Sequence, residues 1–390
     1  MKNIVIISHS LIPSVLLCGH SQLDYLQKEG KINYRFIKAR KVRSSDVNWA
    51  DIIVFVRSES HLEAYVSKLA KGKKHLVYVL DDDLLNIPDY ASSARYYNIP
   101  SIHNNILSII QNCDTFLTPS PILLKKYGNY CKNSYLIDEP SLGSINKKEN
   151  NEKIKIGFAG SIDRTKDIND ILTDGLEYII NKYQNEVSVE FMGAKPQLVD
   201  KYKLEYHPYQ RSYKKYTEAI GQANWDIGLA PMPISEFHKC KYFNKYVEYA
   251  SYGIVGIYTN TEPYTFGIKD KENGLLVNNT KEEWISAIEE LISNEVLRKK
   301  LQSNILKEAN EKYSLNTLSK QYYERIVINS DDKNNEDIDI TLSIKLQIFV
   351  SMVKDKMFVQ GWRFPFWCVK FICVKILEKL HLYEPNKEDE

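Results

Sequence analysis

Long apolar runs are missing from this chain. No segment stays apolar and free of charge over the ~20 residues that a helix needs to cross a bilayer, which argues against an integral membrane protein. The first apolar run, Ile4-Val5-Ile6-Ile7, ends in Ser8-His9-Ser10. It is too short for a secretory leader and has no small-residue cleavage site, so it is read as a buried strand. Cysteine is also scarce. The six (Cys18, Cys113, Cys131, Cys240, Cys368, Cys373) include no Cys-x-x-Cys pair and no histidine at zinc-finger spacing. That pattern excludes a disulfide scaffold and a zinc ribbon, and fits reduced thiols. Nor does one sign of charge dominate: 52 Lys and Arg face 50 Asp and Glu, a net charge of +2. A phosphate backbone needs a cationic field, so no nucleic-acid partner is expected. A cytoplasmic protein, neither secreted nor integral, is the expectation.

What is present is a chain of 390 residues, more than one hydrophobic core usually serves. Its first third alternates short apolar runs with amphipathic stretches. Residues 2–8, 51–56, 75–80 and 115–118 read as strands, and 23–29, 59–70 and 102–111 as helices. Strands apolar throughout, each followed by a helix, indicate a parallel sheet covered on both faces. Residues 144–152 are polar and read as a linker. The rhythm then restarts, with strands at 153–158, 187–192, 226–229 and 254–258 and helices at 168–183, 213–222 and 244–252. The fold class expected is therefore α/β, with two consecutive doubly wound, Rossmann-like domains.

The most specific segment lies between Ala223 and Leu291. Asp226-Ile227-Gly228-Leu229-Ala230-Pro231 is a strand ending in a proline loop. Lys241, Lys245 and Glu248 follow, leading into Tyr249-Ala250-Ser251-Tyr252-Gly253. Asn273-Gly274-Leu275-Leu276-Val277 and Glu283-Trp284 come later. The i, i+4 and i+3 spacings place Lys241, Lys245 and Glu248 on one helix face. The same spacing also suits an ordinary solvated Lys–Glu pair.

This segment resembles the nucleotide-sugar half of GT-B glycosyltransferases, particularly the retaining family 4 (glycosyl transferases group 1). The resemblance covers residues 154–323 well and the first third only loosely. It implies two domains facing a cleft, a nucleotide-sugar donor and no cofactor or metal. The domains expected are an acceptor-side domain at 1–143, the linker 144–152 and a donor domain at 153–330. A polar linker at 331–343 and a basic aromatic tail at 344–390 follow. The resemblance gives Glu248 the ribose hydroxyls. Lys241 and Lys245 are to face the diphosphate, where negative charge grows as the glycosidic bond breaks. Gly160 and Ser161 end the first strand of this half, where backbone N–H groups approach a phosphate. Arg164 and Lys166 stand in for the family's basic pair there, and which of them reaches the phosphate is open. One departure is plain. Cys240 stands where the family places its first glutamate, and Glu236 fills that role only if the loop is longer.

Asp81-Asp82-Asp83 follows a buried strand. In a GT-A enzyme such a run binds a divalent metal. On the GT-B reading it lies at the cleft edge of the first sheet, Asp82 orienting or deprotonating an acceptor hydroxyl with Asp81 and Asp83 beside it. A loop-stabilising aspartate cluster is the competing reading. The same strand-end rule selects His9, Ser10, Gly19, Arg57 and Ser58, Arg57 being best placed for a phosphate on the acceptor. His20, His61 and His103 read as surface or capping residues.

In the tail, Trp362, Phe364, Phe366, Trp367 and Phe371 alternate with Arg363, Lys370 and Lys375. Helical spacing over 366–383 gives a broad apolar face and a narrow basic one, suited to a helix lying in a membrane interface. The expected function is sugar transfer to a glycan or polyprenyl-linked acceptor at the inner membrane face, for a bacterial surface polysaccharide. A sugar-nucleotide epimerase or hydrolase on the same fold, and a degenerate binding protein of an assembly complex, are the alternatives.

Overall fold

The computed structural model describes residues 1–143, 152–333, 336–361 and 365. The first sheet contains β1 (Asn3–Ser8), β2 (Asn33–Lys38), β3 (Ile52–Val56), β4 (His75–Val79), β5 (Thr115–Thr118) and β6 (Asn133–Leu136). All pair in parallel, in the order β2-β1-β3-β4-β5-β6. The central strands β3 and β4 are buried at every position, because helices cover both faces. Strands β2 and β6 lie at the sheet edges. Asn-Tyr-Arg-Phe-Ile-Lys and Asn-Ser-Tyr-Leu carry polar residues that an edge leaves half exposed, so neither reads as a strand from its apolar content.

The second sheet contains β7 (Ile154–Gly160), β8 (Val187–Gly193), β9 (Glu205–His207), β10 (Ile227–Ala230), β11 (Val255–Thr259) and β12 (Leu275–Val277). It too is parallel throughout, in the order β12-β11-β10-β7-β8-β9. In each sheet the direction of progression reverses beside the first strand, at β1/β3 and at β7/β10. A crevice opens outside the strand ends at such points. Gly157 in β7 has a steric cause: a Cβ there would fall 1.8 Å from the Trp225 ring. That indole is fully buried and donates to Glu190 at 2.8 Å.

The chain then returns to the first domain. Helix Leu315–Tyr323 follows helices Lys281–Ser293 and Glu295–Glu311, yet it packs on helix Ser21–Lys28. Tyr322 and Ile326 join the core of Ile4, Val15 and Leu23. Ile338, Ile340 and Ile344 enter the core on the sheet's other face. Residues 315–333 and 336–344 thus pack with the first domain, although 315–330 read as second domain and 331–343 as polar linker. The acids that make this stretch look solvated meet basic partners on the first domain, Asp331 with Lys132 at 2.9 Å and Asp332 with Lys2 at 2.6 Å.

The last described helix, Leu342–Gln360, is tied down by Asp355, which lies 2.7 Å from His61 Nε2 and accepts from Ser101 Oγ. Its outer side exposes Leu342, Leu346, Phe349, Met357 and Phe358. Among the described residues no helix is long and apolar enough to cross a membrane. The amphipathic helix expected over 366–383 lies outside the described residues.

Candidate active site

Both sheets turn their strand ends to one cavity of about 570 Å³. Arg57 follows β3, Asp81 and Asp82 follow β4, and Glu139 follows β6. Gly160 and Gly193 end β7 and β8, and Met232 follows β10.

On the first-domain wall, Arg57 has a left-handed backbone (φ 50°), a conformation costing ~1 kcal/mol in a non-glycine residue. Its N–H donates to the Val79 carbonyl at 3.0 Å. The guanidinium is thereby aimed at two anions, Asp81 Oδ1 at 2.8 Å and Asp82 Oδ2 at 2.9 Å. Lys241, from the second domain, reaches the other Asp82 oxygen at 2.7 Å. Burial works to raise the Asp82 carboxyl, but Lys241 and Arg57 outweigh it and hold it below the usual carboxylate range.

Asp83 turns the other way. It is fully buried and accepts from Lys126 Nζ at 2.8 Å, Tyr127 Oη at 2.7 Å and Asn86 Nδ2 at 3.0 Å. A carboxylate so buried needs several donors, and these hold it out of the cavity. Cys240 lies in the same place, its thiol 3.8 Å from Asp83. The residue at the family's first-glutamate position therefore packs into the first domain's core. Glu236 is exposed and pairs with Lys239. Gly19 is also outside the lining. Its helical turn Leu16–His20 shows Leu17 to the cavity, while a Cβ at Gly19 would stand 3.0 Å from Tyr322 Oη. Ser58 is buried and donates to the Ile7 carbonyl, and His9 and Ser10 do not line the cavity.

On the second-domain wall, helix Asn244–Ser251 carries Lys245 and Glu248. Lys245 Nζ is 2.6 Å from Glu248 Oε1. Tyr216, from helix Tyr213–Ala223, donates to that oxygen at 2.9 Å and accepts from Lys245 at 2.7 Å. The ordinary i, i+3 pair is therefore formed, but it is mostly buried and opens on the cavity. Lys241 does not share this helix, although its spacing predicts that it does. It precedes the helix, separated by Tyr242 and Phe243, whose rings lie 4.2 Å apart; the chain bends at Lys241 and the helix begins only at Asn244. Tyr242 Oη donates to Asp138 at 3.0 Å, which turns Lys241 toward Asp82.

Gly160 and Ser161 line the cavity at the end of β7. Gly193 makes their approach to β8 possible: at φ 81° a Cβ would stand 2.1 Å from the Gly160 carbonyl oxygen. Arg164 sits in the wall, donating to the Pro231 carbonyl, with Nε 2.8 Å from Asp167. Lys166 is at the rim, its side chain 77% exposed and paired with Asp170.

Several lining residues escape the sequence reading. Tyr213, Tyr216, Tyr242 and Glu139 are brought in by packing of elements far apart in sequence. His238 also lines the cavity, its Nδ1 2.8 Å from Ser235 Oγ. Burial, with Lys241 and Arg164, lowers its pKa to about 4, so the ring is neutral near pH 7. Glu139 was within reach of the strand-end rule, but β6 does not look like a strand.

No protein-family profile and no curated sequence matches the chain. Solved structures do. HepE of Anabaena, solved with UDP and glucose, superposes with a TM-score of 0.57 at 12% identity, over 83% of this chain and 99% of that one. A glycosyltransferase from Rickettsia africae ESF-5 superposes at 0.56 and 14% identity, over 84% and 99%. The apo lipopolysaccharide outer core galactosyltransferase WaaB does so at 0.53 and 13% identity, over 83% and 99%. This chain has the GT-B fold. Its two sheets are the two GT-B halves, and the cavity between them is the GT-B interdomain cleft.

Proposed function

We propose that this chain transfers a sugar from a nucleoside-diphosphate donor to a glycan or lipid-linked acceptor at the inner face of the cytoplasmic membrane. The observation that carries the reading is one cavity with two chemically distinct walls. Lys245, Glu248, Tyr216 and Arg164 stand beside the Gly160–Ser161 strand end, and Asp81 and Asp82 stand opposite. Departure of a nucleoside diphosphate builds negative charge on its phosphates. Arg164 and Lys245, fixed before reaction, stabilise that charge more in the transition state than in the ground state. Glu248 has the bidentate acceptor geometry that suits ribose hydroxyls. Asp82, held ionised, is placed to orient an acceptor hydroxyl.

The fold neighbours support a uridine nucleotide, since HepE was solved with UDP, UDP-glucose and glucose. Metal-independent transfer with retention, the leaving phosphate assisting attack, is what the family resemblance implies. The WaaB likeness supports a bacterial surface polysaccharide as product. The exposed apolar side of helix Leu342–Gln360, followed by the basic aromatic sequence from Trp362 onward, supports the membrane location. To test the reading, purified protein is offered UDP-, GDP- and dTDP-sugars in EDTA, with and without a polyprenyl-linked glycan, and free nucleotide is measured. Acceptor-dependent release is expected. Failure to bind any nucleotide, or strict dependence on a divalent metal, would sink the proposal.

A further inference from the structure

Glu139 is a buried acid at the floor of the cleft, 4% exposed and lining the cavity. Its one hydrogen bond among the described residues is accepted by Oε1 from the Cys18 thiol, at 3.4 Å. The second carboxyl oxygen has no partner there. One oxygen each of Glu139 and Asp81, and the Cys18 sulfur, lie within 4.8 Å of one another. An O–H···O bond spans about 2.7 Å, so a single hydroxyl oxygen can touch both carboxyl groups. The two acids come from different elements, Asp81 from the loop after β4 and Glu139 from the end of β6.

The charges around the pair say what belongs between them. Arg57 is already shared by Asp81 and Asp82, and Lys241 is held by Asp82. Burial, then the charge of Asp81, pushes the Glu139 carboxyl up to about 8. Asp82 and Asp138 act in the same direction, and the phenols of Tyr213 and Tyr242 face the same acid from the second domain. The Cys18 thiol, raised by burial and by Glu139, stays protonated. The floor thus offers one carboxyl group paired with Arg57, one protonated acid and no uncommitted cation. A phosphate is repelled there and a neutral hydroxyl is held from both sides, donating to Asp81 and accepting from Glu139.

From this geometry we infer that Glu139 and Asp81 together seat a neutral hydroxyl group of the acceptor, and that any phosphate on the acceptor lies away from this floor. The inference deepens the transferase reading and rests on it. Its test compares full-length wild type, Glu139→Gln and Glu139→Ala in three measurements. Calorimetry with UDP reports the opposite wall. UDP release from UDP-glucose, UDP-galactose and UDP-N-acetylglucosamine is followed against octyl glycosides and, separately, against sugar phosphates. Infrared difference spectra follow the protonated carboxyl band through pH 8.

Glu139→Ala is expected to raise the octyl glycoside KM about tenfold while UDP affinity changes less than about twofold. Glu139→Gln, a neutral isostere that still donates, is expected to recover most of that loss. It should also flatten the rise in acceptor KM expected in wild type as Glu139 loses its proton above pH 8, and diminish the carboxyl band, leaving the part that belongs to Glu59. Wild-type acceptor KM and pH profile in both variants would overturn the inference, as would turnover with sugar phosphates and none with neutral glycosides. Lack of turnover with every neutral glycoside also counts against it. If wild type binds no UDP or other nucleotide, the transferase reading falls first and the inference with it.

Discussion

The two walls of the cleft hold the same kinds of side chain and commit them differently. On the second-domain wall Lys245 and Glu248 are paired within one turn of one helix, with Tyr216 bridging them. A ligand that takes either group opens a contact that lies within one helix and one domain. On the first-domain wall Asp82 is shared between Arg57 of its own domain and Lys241 of the other. There, ionic pairing and domain separation are one variable. A ligand that claims Lys241 weakens the link between the domains, whereas one that claims Lys245 does not. Similar composition therefore yields a wall suited to exchange and a wall suited to holding the domains in register.

The contrast can be broken in several ways. The largest effect is expected from Glu248→Ala, which removes the carboxylate proposed for the ribose. Nucleotide affinity by calorimetry should fall at least ~100-fold, as when one partner of a desolvated polar contact is truncated. Unchanged affinity would remove the assignment of the second-domain wall. Next, Asp82→Asn leaves Lys241 without its acid partner and Arg57 with Asp81 alone. Urea unfolding should show a loss of ~2 kcal/mol, against less than ~1 kcal/mol for Lys245→Ala. Equal losses would erase the distinction between shared and local pairing.

The third effect is a pH dependence. Glu139 and Glu59 are both raised from 4.5 to about 8, chiefly by burial. The unfolded chain releases these protons first, so stability falls as pH rises from the ordinary glutamate range through about 8. His238 works oppositely. Its pKa is lowered from 6.5 to about 4, so its contribution is present above 6.5 and is lost as pH falls through 4. Between 6.5 and 8 each of these two acids should lower the unfolding free energy by ~1.5 kcal/mol. Glu139→Gln or Glu59→Gln should flatten that limb in urea titrations; a rising limb in wild type would contradict the assignment.

The smallest effect is expected outside the cleft. Phe349→Glu, on the exposed side of helix Leu342–Gln360, should weaken sedimentation with anionic lipid vesicles about tenfold and leave nucleotide affinity alone. Undiminished vesicle binding would shift the membrane contact to another surface. Truncation before Ile344 is a poor substitute for this variant, because Ile344 belongs to the first domain's core.

The sequence makes the two-sheet architecture legible because β1, β3, β4 and β5 are buried on both faces and carry apolar runs at their centres. Strands β2, β6 and β9 are edge or near-edge elements whose polar residues look like loop. In the site, Lys245 and Glu248 can be recognised because their spacing and flanking pattern are local. Lys241 fits their helical spacing yet lies before their helix, because the chain bends at Lys241 and the helix begins only at Asn244. Asp81 and Asp82 face the cleft while Asp83 does not. A triplet cannot reveal that difference, since it depends on Lys126 and Tyr127 more than 40 positions later. Glu139 and Tyr216 owe their place in the cleft to contacts between elements distant in the chain.

The return of residues 315–333 and 336–344 to the first domain makes the second domain an insertion within it. Two neighbouring strands of chain join the halves, since Ser141 N–H donates to the Tyr313 carbonyl at 2.8 Å and Ser141 bridges to Ser314. Two crossings restrict the relative motion of the halves more than one would. The insertion also sets a timetable for synthesis. As the chain leaves the ribosome, β1 to β6 must wait through the whole second sheet before Tyr322, Ile326, Ile338 and Ile344 arrive to close their core. The first domain to be made is the last to be completed.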